Sequence, residues 1–257
     1  MASLHSTLAI VLSRSSRREV DRWYSAYTKD FGKIEFMARG ADKPLAKLSP
    51  HLEMAAELEL LLVNGRYYWT IAGVERKQAF PDLHLNLNKL LLAKNSKHFV
   101  DIGTRAHEKD ERVYDHLLSW FEFLQKIPEV SQERSAYLLG SFVLKLLAIM
   151  GYRPELTNCL ACRSVIKKGS YAWHALKGGV VCSDCVLKNN NTWFTARAIS
   201  DDVLKLLRFA LQEDFSEQLR PHLLGVLIPE FHNAVESLLI SHFPTIPANT
   251  IRESCIV

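Results

Sequence analysis

Over roughly the first 79 residues, apolar and polar positions alternate with a period of two, the mark of half-buried strands. Leu8, Ile10 and Leu12 alternate with Thr7, Ala9, Val11 and Ser13, which predicts a strand ending in the polar, basic turn Ser13 to Glu19. A second strand is expected from Val20 to Thr28, and Lys29-Asp30-Phe31-Gly32 turns the chain into a third. There Ile34, Phe36 and Ala38 share one face, and Lys33, Glu35, Met37 and Arg39 share the other. A fourth strand sets Leu58, Leu60 and Leu62 inward and Glu57 and Glu59 outward. Asn64-Gly65 is a hairpin signal into a fifth, Tyr67 to Val74. Five short strands suggest a small barrel of the OB-fold type.

After Phe80-Pro81 the apolar spacing changes to three and four, the period of a helix. Leu83, Leu87, Leu90 and Leu91 predict one helix. Val113, Leu117, Trp120, Phe121 and Leu124 predict another from Asp110 to Gln125. Ser131 caps a long helix to Met150 that presents Tyr137, Leu138, Phe142, Leu146 and Ile149, with Gly151 at its carboxyl cap. Ser200 caps a helix through Val203, Leu204, Leu207 and Leu211, and a last helix runs from Ile228 to Phe243 with Pro229 in its first turn. The expected organisation is α+β: a barrel domain over 1–79, an all-helical domain over 80–245, and a disordered tail over 246–257.

Between the third and fourth of these helices stand four of the five cysteines, as Cys159/Cys162 and Cys182/Cys185. Two Cys-x-x-Cys pairs at this separation have the spacing of a four-thiolate zinc site, which is tetrahedral, closed to substrate and therefore structural. The module is expected over 158–187, with Tyr171-Ala172-Trp173 and Gly178 to Val181 forming a hairpin between the knuckles. His174 then reads as a surface residue of that hairpin rather than a ligand. Disulfides are disfavoured because nothing suggests an oxidising compartment. A thioredoxin-like pair needs only one Cys-x-x-Cys beside a βαβ unit. A zinc deaminase needs His-x-Glu followed by Pro-Cys-x-x-Cys; His51-Leu52-Glu53 spells the first half, but Asn158 precedes Cys159 and two cysteines are left idle.

Composition narrows the class. With 48% apolar and 23% charged residues the chain is expected to be globular, and polar residues interrupt every apolar stretch short of a membrane span. Without a signal-peptide pattern a cytoplasmic location is expected, and Cys255-Ile256-Val257 lacks the fourth residue of a prenylation box. The net charge is only +4, but residues 1–50 hold nine bases against five acids, which accounts for all of it. Arg14, Arg17, Arg18, Arg22, Lys33, Arg39, Lys43 and Lys47 are the candidate contacts to a polyanion. An OB-fold lays a single strand along a basic groove on strands two and three, with bases stacked on aromatic rings. Trp23, Tyr24 and Tyr27 are the candidates for stacking; adjacent Trp23 and Tyr24 face opposite ways, so at least one belongs to the core.

Taken in order, the chain resembles the bacterial RecO family of DNA repair proteins over nearly its whole length. Glu19-Val20-Asp21-Arg22 and Thr28-Lys29-Asp30-Phe31-Gly32-Lys33 are similar to the family's second strand and turn. Ala38-Arg39-Gly40-Ala41 with Lys43 is similar to its basic loop, and Gly151-Tyr152 with Pro154-Glu155-Leu156 to its entry into the zinc module. Asp42 and Trp23-Tyr24 depart from the usual pattern. The resemblance implies a recombination mediator without catalytic residues. Such a protein binds single- and double-stranded DNA, anneals complementary strands, and works with RecR and single-stranded-DNA-binding protein to load RecA. The alternatives are a protein-interaction scaffold with a structural zinc and no annealing activity, and a metal-dependent nuclease or deaminase, which requires an open metal position.

Overall fold

The computed structural model describes residues 3–16, 21–41, 48–53, 55–222, 225–248 and 250–253, without the side chains of 53, 252 and 253. Arg17, Arg18, Lys43, Lys47 and Cys255 therefore lie outside the described residues. The chain divides into two units, Met1–Glu129 and Val130–Val257.

In the first unit, β1 (Ser3–Ser16), β2 (Arg22–Thr28), β3 (Gly32–Ala38), β4 (Ala56–Asn64) and β5 (Trp69–Ala79) close into a barrel of order β1-β2-β3-β5-β4. The β3–β5 pairing is parallel and the others are antiparallel, which is OB-like topology. The short helix α1 (Ser49–Glu53) lies between β3 and β4. The interior holds the expected alternating residues: Ile34, Phe36, Leu58, Leu60 and Leu62 are all fully buried. β1 is longer than the apolar pattern predicts because Ser13–Ser16 remain paired with β2 after a bulge between Val11 and Ser13. Met37, expected on the polar face, is buried; on the outer surface it lies between its cross-strand partners Trp23 and Thr70. Asn64-Gly65 does begin a hairpin connection, but with a four-residue loop, Gly65 to Tyr68, closed by the Gly65 amide donating to the Tyr68 carbonyl. Gly32 turns β2 into β3 at φ 66°, where a side chain would also strike the Glu108 carbonyl.

A 3₁₀ turn (Pro81–His84) leads to α2 (Leu87–Gly103) and α3 (Glu111–Lys126), capped by Asn86 and Asp110. The apolar face read for α2 is not the buried one. Lys89, Leu92, Ala93, Ser96, Phe99 and Val100 face inward, whereas Leu87 and Leu90 are exposed. The helix has two apolar stripes, and only tertiary contact decides between them.

The second unit is built on α4 (Gln132–Leu147), capped by Ser131 and extended by a π turn (Ala148–Tyr152) that Gly151 ends at φ 95°. By length and composition Gln132–Tyr152 is apolar enough to cross a membrane, contrary to the reading that every apolar stretch is interrupted. Its side chains are instead core: Tyr137, Leu138, Leu139, Phe142 and Leu144 are fully buried. β6 (Tyr171–His174) and β7 (Gly179–Cys182) form the expected hairpin, followed by α5 (Ser183–Lys188), α6 (Asn190–Trp193) and β8 (Arg197–Ala198), which pairs with β6. The helices α7 (Asp201–Gln212) and α8 (Leu227–His242) pack with α4, and a side chain at Gly140 on α4 would strike the Phe231 ring of α8. α9 (Thr250–Glu253) follows, and Ile246 and Ile251 are buried where the sequence suggests a disordered tail.

Candidate functional site

The four cysteine sulfurs lie within 4.8 Å of one another, close enough to bind one metal ion. Cys159 sits in the tight turn after Glu155, whose carboxylate accepts from the Thr157 and Asn158 amides. Arg163 closes that knuckle in a left-handed conformation, φ 61°, with its amide donating to the Cys159 carbonyl. Cys182 ends β7 and Cys185 begins the following turn of α5. The Cys162–Cys182 sulfur separation is 3.8 Å. A tetrahedron of sulfurs about 2.3 Å from a zinc ion has edges of about 3.8 Å, so the donor set fits that metal.

The surrounding dipoles suit thiolates. The Cys159 sulfur is fully buried and accepts from the Ala161 and Cys182 amides at 3.4 and 3.3 Å. Burial acts to raise that thiol, but the backbone donors hold it below its usual value. The Ser164 hydroxyl, 2.8 Å from Cys162, brings that thiol down to about 6. Burial raises Cys182, and hydrogen bonding to Cys182 raises Cys185 to about 12. Four sulfurs so close ionise together only around a cation.

His174 is not the surface residue expected. It is buried, its Nδ1 accepts from the Lys177 amide, and its Nε2 lies 3.0 Å from the Thr195 hydroxyl. The module is tied to the helices of its unit by Trp173 donating to Ser237 and Tyr171 donating to Asp201, at 2.9 and 2.7 Å.

In the barrel unit, register decides which cations come together. Arg14 lies opposite Tyr24, Arg22 opposite Ala38, and Arg39 directly follows β3, so these three share one end of the barrel. Lys33 lies at the far end of β3, and its ammonium donates to the Asp101 carbonyl on α2. The Asp101 carboxylate also accepts from Ser13 and Ser25, both at 2.7 Å, so α2 covers part of the outer surface of β1 to β3. The aromatic residues separate cleanly. Tyr24 is core, stacked on Phe36, and Tyr27 donates to the Asp110 carbonyl, with burial pushing its phenol up to about 12. Trp23 is half-buried, edge-on to Tyr68 at 5.3 Å.

That contact brings in the β4–β5 loop, which the sequence reading passes over. Tyr67 is 82% exposed, and the Arg66 guanidinium lies 5.3 Å above its ring. Arg39, Arg66, Tyr67 and Tyr68 line a groove of about 410 Å³ with Val63 and Thr70. The sequence signal was available: Arg66-Tyr67-Tyr68-Trp69 directly follows the hairpin dipeptide. Cations beside open aromatic faces suit an anionic polymer with stackable bases.

Comparison with known proteins agrees with this architecture. Residues 1–80 match the family model described as Recombination protein O N terminal, and residues 84–222 match Recombination protein O C terminal. A DNA repair protein RecO from Thermoanaerobacter sp. (strain X514) is 25% identical over 244 residues, covering 93% of this chain and 92% of the relative. One from Symbiobacterium thermophilum is 26% identical over 241 residues, covering 93% and 92%. One from Dehalococcoides mccartyi is 27% identical over 231 residues, covering 90% and 87%. With both halves matched in order, the chain belongs to the recombination protein O (RecO) family.

Proposed function

We propose that the chain is a DNA-binding recombination mediator of DNA repair that acts in the cytoplasm without catalysing a reaction. It binds single- and double-stranded DNA, anneals complementary strands, and works with RecR to load RecA on strands coated by single-stranded-DNA-binding protein. The observation that carries this reading is the aromatic and cationic groove at the β4–β5 loop, where Trp23, Tyr67 and Tyr68 adjoin Arg39 and Arg66. An OB-like barrel presents single strands to this loop and to the surface of β2 and β3. Its cations neutralise phosphates and lower the repulsion between two strands, while bases keep their pairing edges free. The four cysteines hold a structural zinc in this reading, and four thiolates leave no position for a reacting water.

The test is annealing of two complementary oligonucleotides over a salt series. Acceleration that fades as salt rises supports the proposal; no acceleration by folded, metal-loaded protein contradicts it. A scaffold reading draws on the exposed Leu85, Leu87 and Leu90 at the start of α2. Failure to retain single-stranded DNA at low salt favours it.

A further inference from the structure

The four sulfurs of the cysteine cluster are not equivalent. Cys159 is buried, with the Ala161 and Cys182 amides donating to its sulfur, and Cys182 and Cys185 are half-buried. Among the described cysteines only Cys162 is exposed, and its neighbours Ala161, Arg163, Ser164 and Val165 are exposed with it. The first knuckle therefore presents one sulfur to water and withholds the other. Charge sharpens the contrast, because residues 157–182 contain Arg163, Lys167, Lys168 and Lys177 and no acid. A thiolate that is open to solvent and set beside cations is the kind that oxidants attack first.

A reaction partner is already in place. The Cys182 sulfur, on the other knuckle, lies 3.8 Å from that of Cys162. Cys182 also connects the cluster to the helices of its unit. It pairs with Tyr171 across the hairpin, and the Ser183 amide after it donates to the Ser170 carbonyl. The Tyr171 hydroxyl and the Gly169 amide both donate to Asp201 at the start of α7, at 2.7 and 3.0 Å. The module's own buried apolar core is Cys159, Val181 and Trp193, with partly buried residues packed around them. So small a core stays folded only while the sulfurs are held together.

We propose that Cys162 is a site of oxidation, where a hydroperoxide converts the cluster to a Cys162–Cys182 disulfide, releases the ion and loosens the second unit. The inference rests on the reading that the four cysteines hold zinc and adds a regulated state of that site. With hydrogen peroxide, the Cys162 thiolate attacks one peroxide oxygen: an S–O bond forms, the O–O bond breaks, and hydroxide leaves, giving a sulfenic acid. The Cys182 thiolate then attacks the Cys162 sulfur: the S–S bond forms, the S–O bond breaks, and a second hydroxide leaves. Two electrons pass from the two sulfurs to the peroxide, and two protons from the medium turn both hydroxides into water. Cys159 and Cys185 alone are too few donors for a closed site. A thiol reductant and fresh zinc reverse the change.

The test treats full-length protein, reconstituted with zinc, with hydrogen peroxide in the presence of a zinc-responsive dye. The dye follows release of the ion, and calorimetry follows the second unit. Peptide mapping without reductant, after free thiols are blocked, identifies the linkage. The proposal predicts loss of the ion together with a Cys162–Cys182 linkage, a lower melting temperature of the second unit, and recovery with dithiothreitol and zinc. Cys162→His keeps a nitrogen donor for the ion but removes the exposed thiolate, and should slow release on the order of tenfold or more. Where that variant does not load, the mapping of wild-type protein decides. An ion retained at peroxide levels that oxidise free cysteine overturns the inference and leaves the zinc reading standing. So does a first linkage between other sulfurs, or a loaded Cys162→His that releases its ion as fast as wild type. A chain that holds no ion after reconstitution overturns both.

Discussion

The Lys33 ammonium is bound by Asp101, through the main-chain carbonyl and, at 3.7 Å, the carboxylate. A cation that sequence pattern assigns to a ligand face therefore fastens α2 to the barrel. Asp101 accepts two hydroxyls as well. Asp101→Ala should lower the stability of the barrel unit by about 1–3 kcal/mol, because the Ser13 and Ser25 hydroxyls lose a half-buried acceptor and Lys33 loses its ion-pair partner while keeping the main-chain carbonyl. Chemical denaturation checks this; an unchanged midpoint contradicts it. Lys33→Glu should likewise destabilise, whereas Arg39→Glu, on an exposed residue, should change stability by no more than about 0.5 kcal/mol.

At the β4–β5 loop the expectation is reversed. Tyr67 is largely exposed, and its ring meets the Arg66 guanidinium. Tyr67→Ala should leave unfolding within about 0.5 kcal/mol of wild type while weakening single-strand binding by about 1–3 kcal/mol. Fluorescence anisotropy with a short oligonucleotide measures the second term. A loss of stability without a loss of affinity would mean the ring serves packing.

How much was legible in the sequence follows from how local each signal is. The strand alternation of Ile34, Phe36 and Ala38 and the capping residues Ser131 and Ser200 depend on near neighbours, and each is found as read. The cysteine cluster is legible for the same reason, since each Cys-x-x-Cys fixes its own half of the site. What fails is what depends on distant partners. The buried side of α2 is chosen by the barrel it packs on, so the apolar stripe containing Leu87 and Leu90 faces outward. His174 is buried by Trp193 and Thr195, about twenty residues away in sequence, which hairpin periodicity does not reveal. The groove depends on the β2–β3–β5 register, which brings Trp23 to Tyr68 of the β4–β5 loop.

Removing the metal should unfold the module and loosen the second unit. In a loaded site of this type the ion contributes on the order of 10 kcal/mol to local folding. Cys182→Ser, which deletes one of four sulfurs, should lower the metal content and the melting temperature of the second unit while the barrel unit unfolds as before. Metal analysis with calorimetry follows both. Retention of one metal ion per chain at unchanged melting temperature contradicts the four-sulfur assignment.

Acid should act on the same unit. Burial, with Lys177 nearby, holds His174 below the usual imidazole value, and burial does the same for His242. A folded value below the unfolded one means that the fold favours the neutral ring. This stability is fully present above about pH 6.5 and is lost as pH falls through the folded values. Proton competition for the thiolates acts in the same direction. Melting of the second unit should fall between pH 7.5 and 5.5, and His174→Gln should flatten that dependence. A slope that the variant leaves intact would assign the effect to the thiols alone.

The most direct measurement is the annealing rate of complementary strands coated with the cognate single-stranded-DNA-binding protein, compared between wild type and Arg66→Gln/Tyr67→Ala. The account predicts acceleration by the wild type that fades with salt, and a loss of about tenfold in the variant at equal stability. No acceleration on coated strands, or a variant as active as wild type, would contradict it.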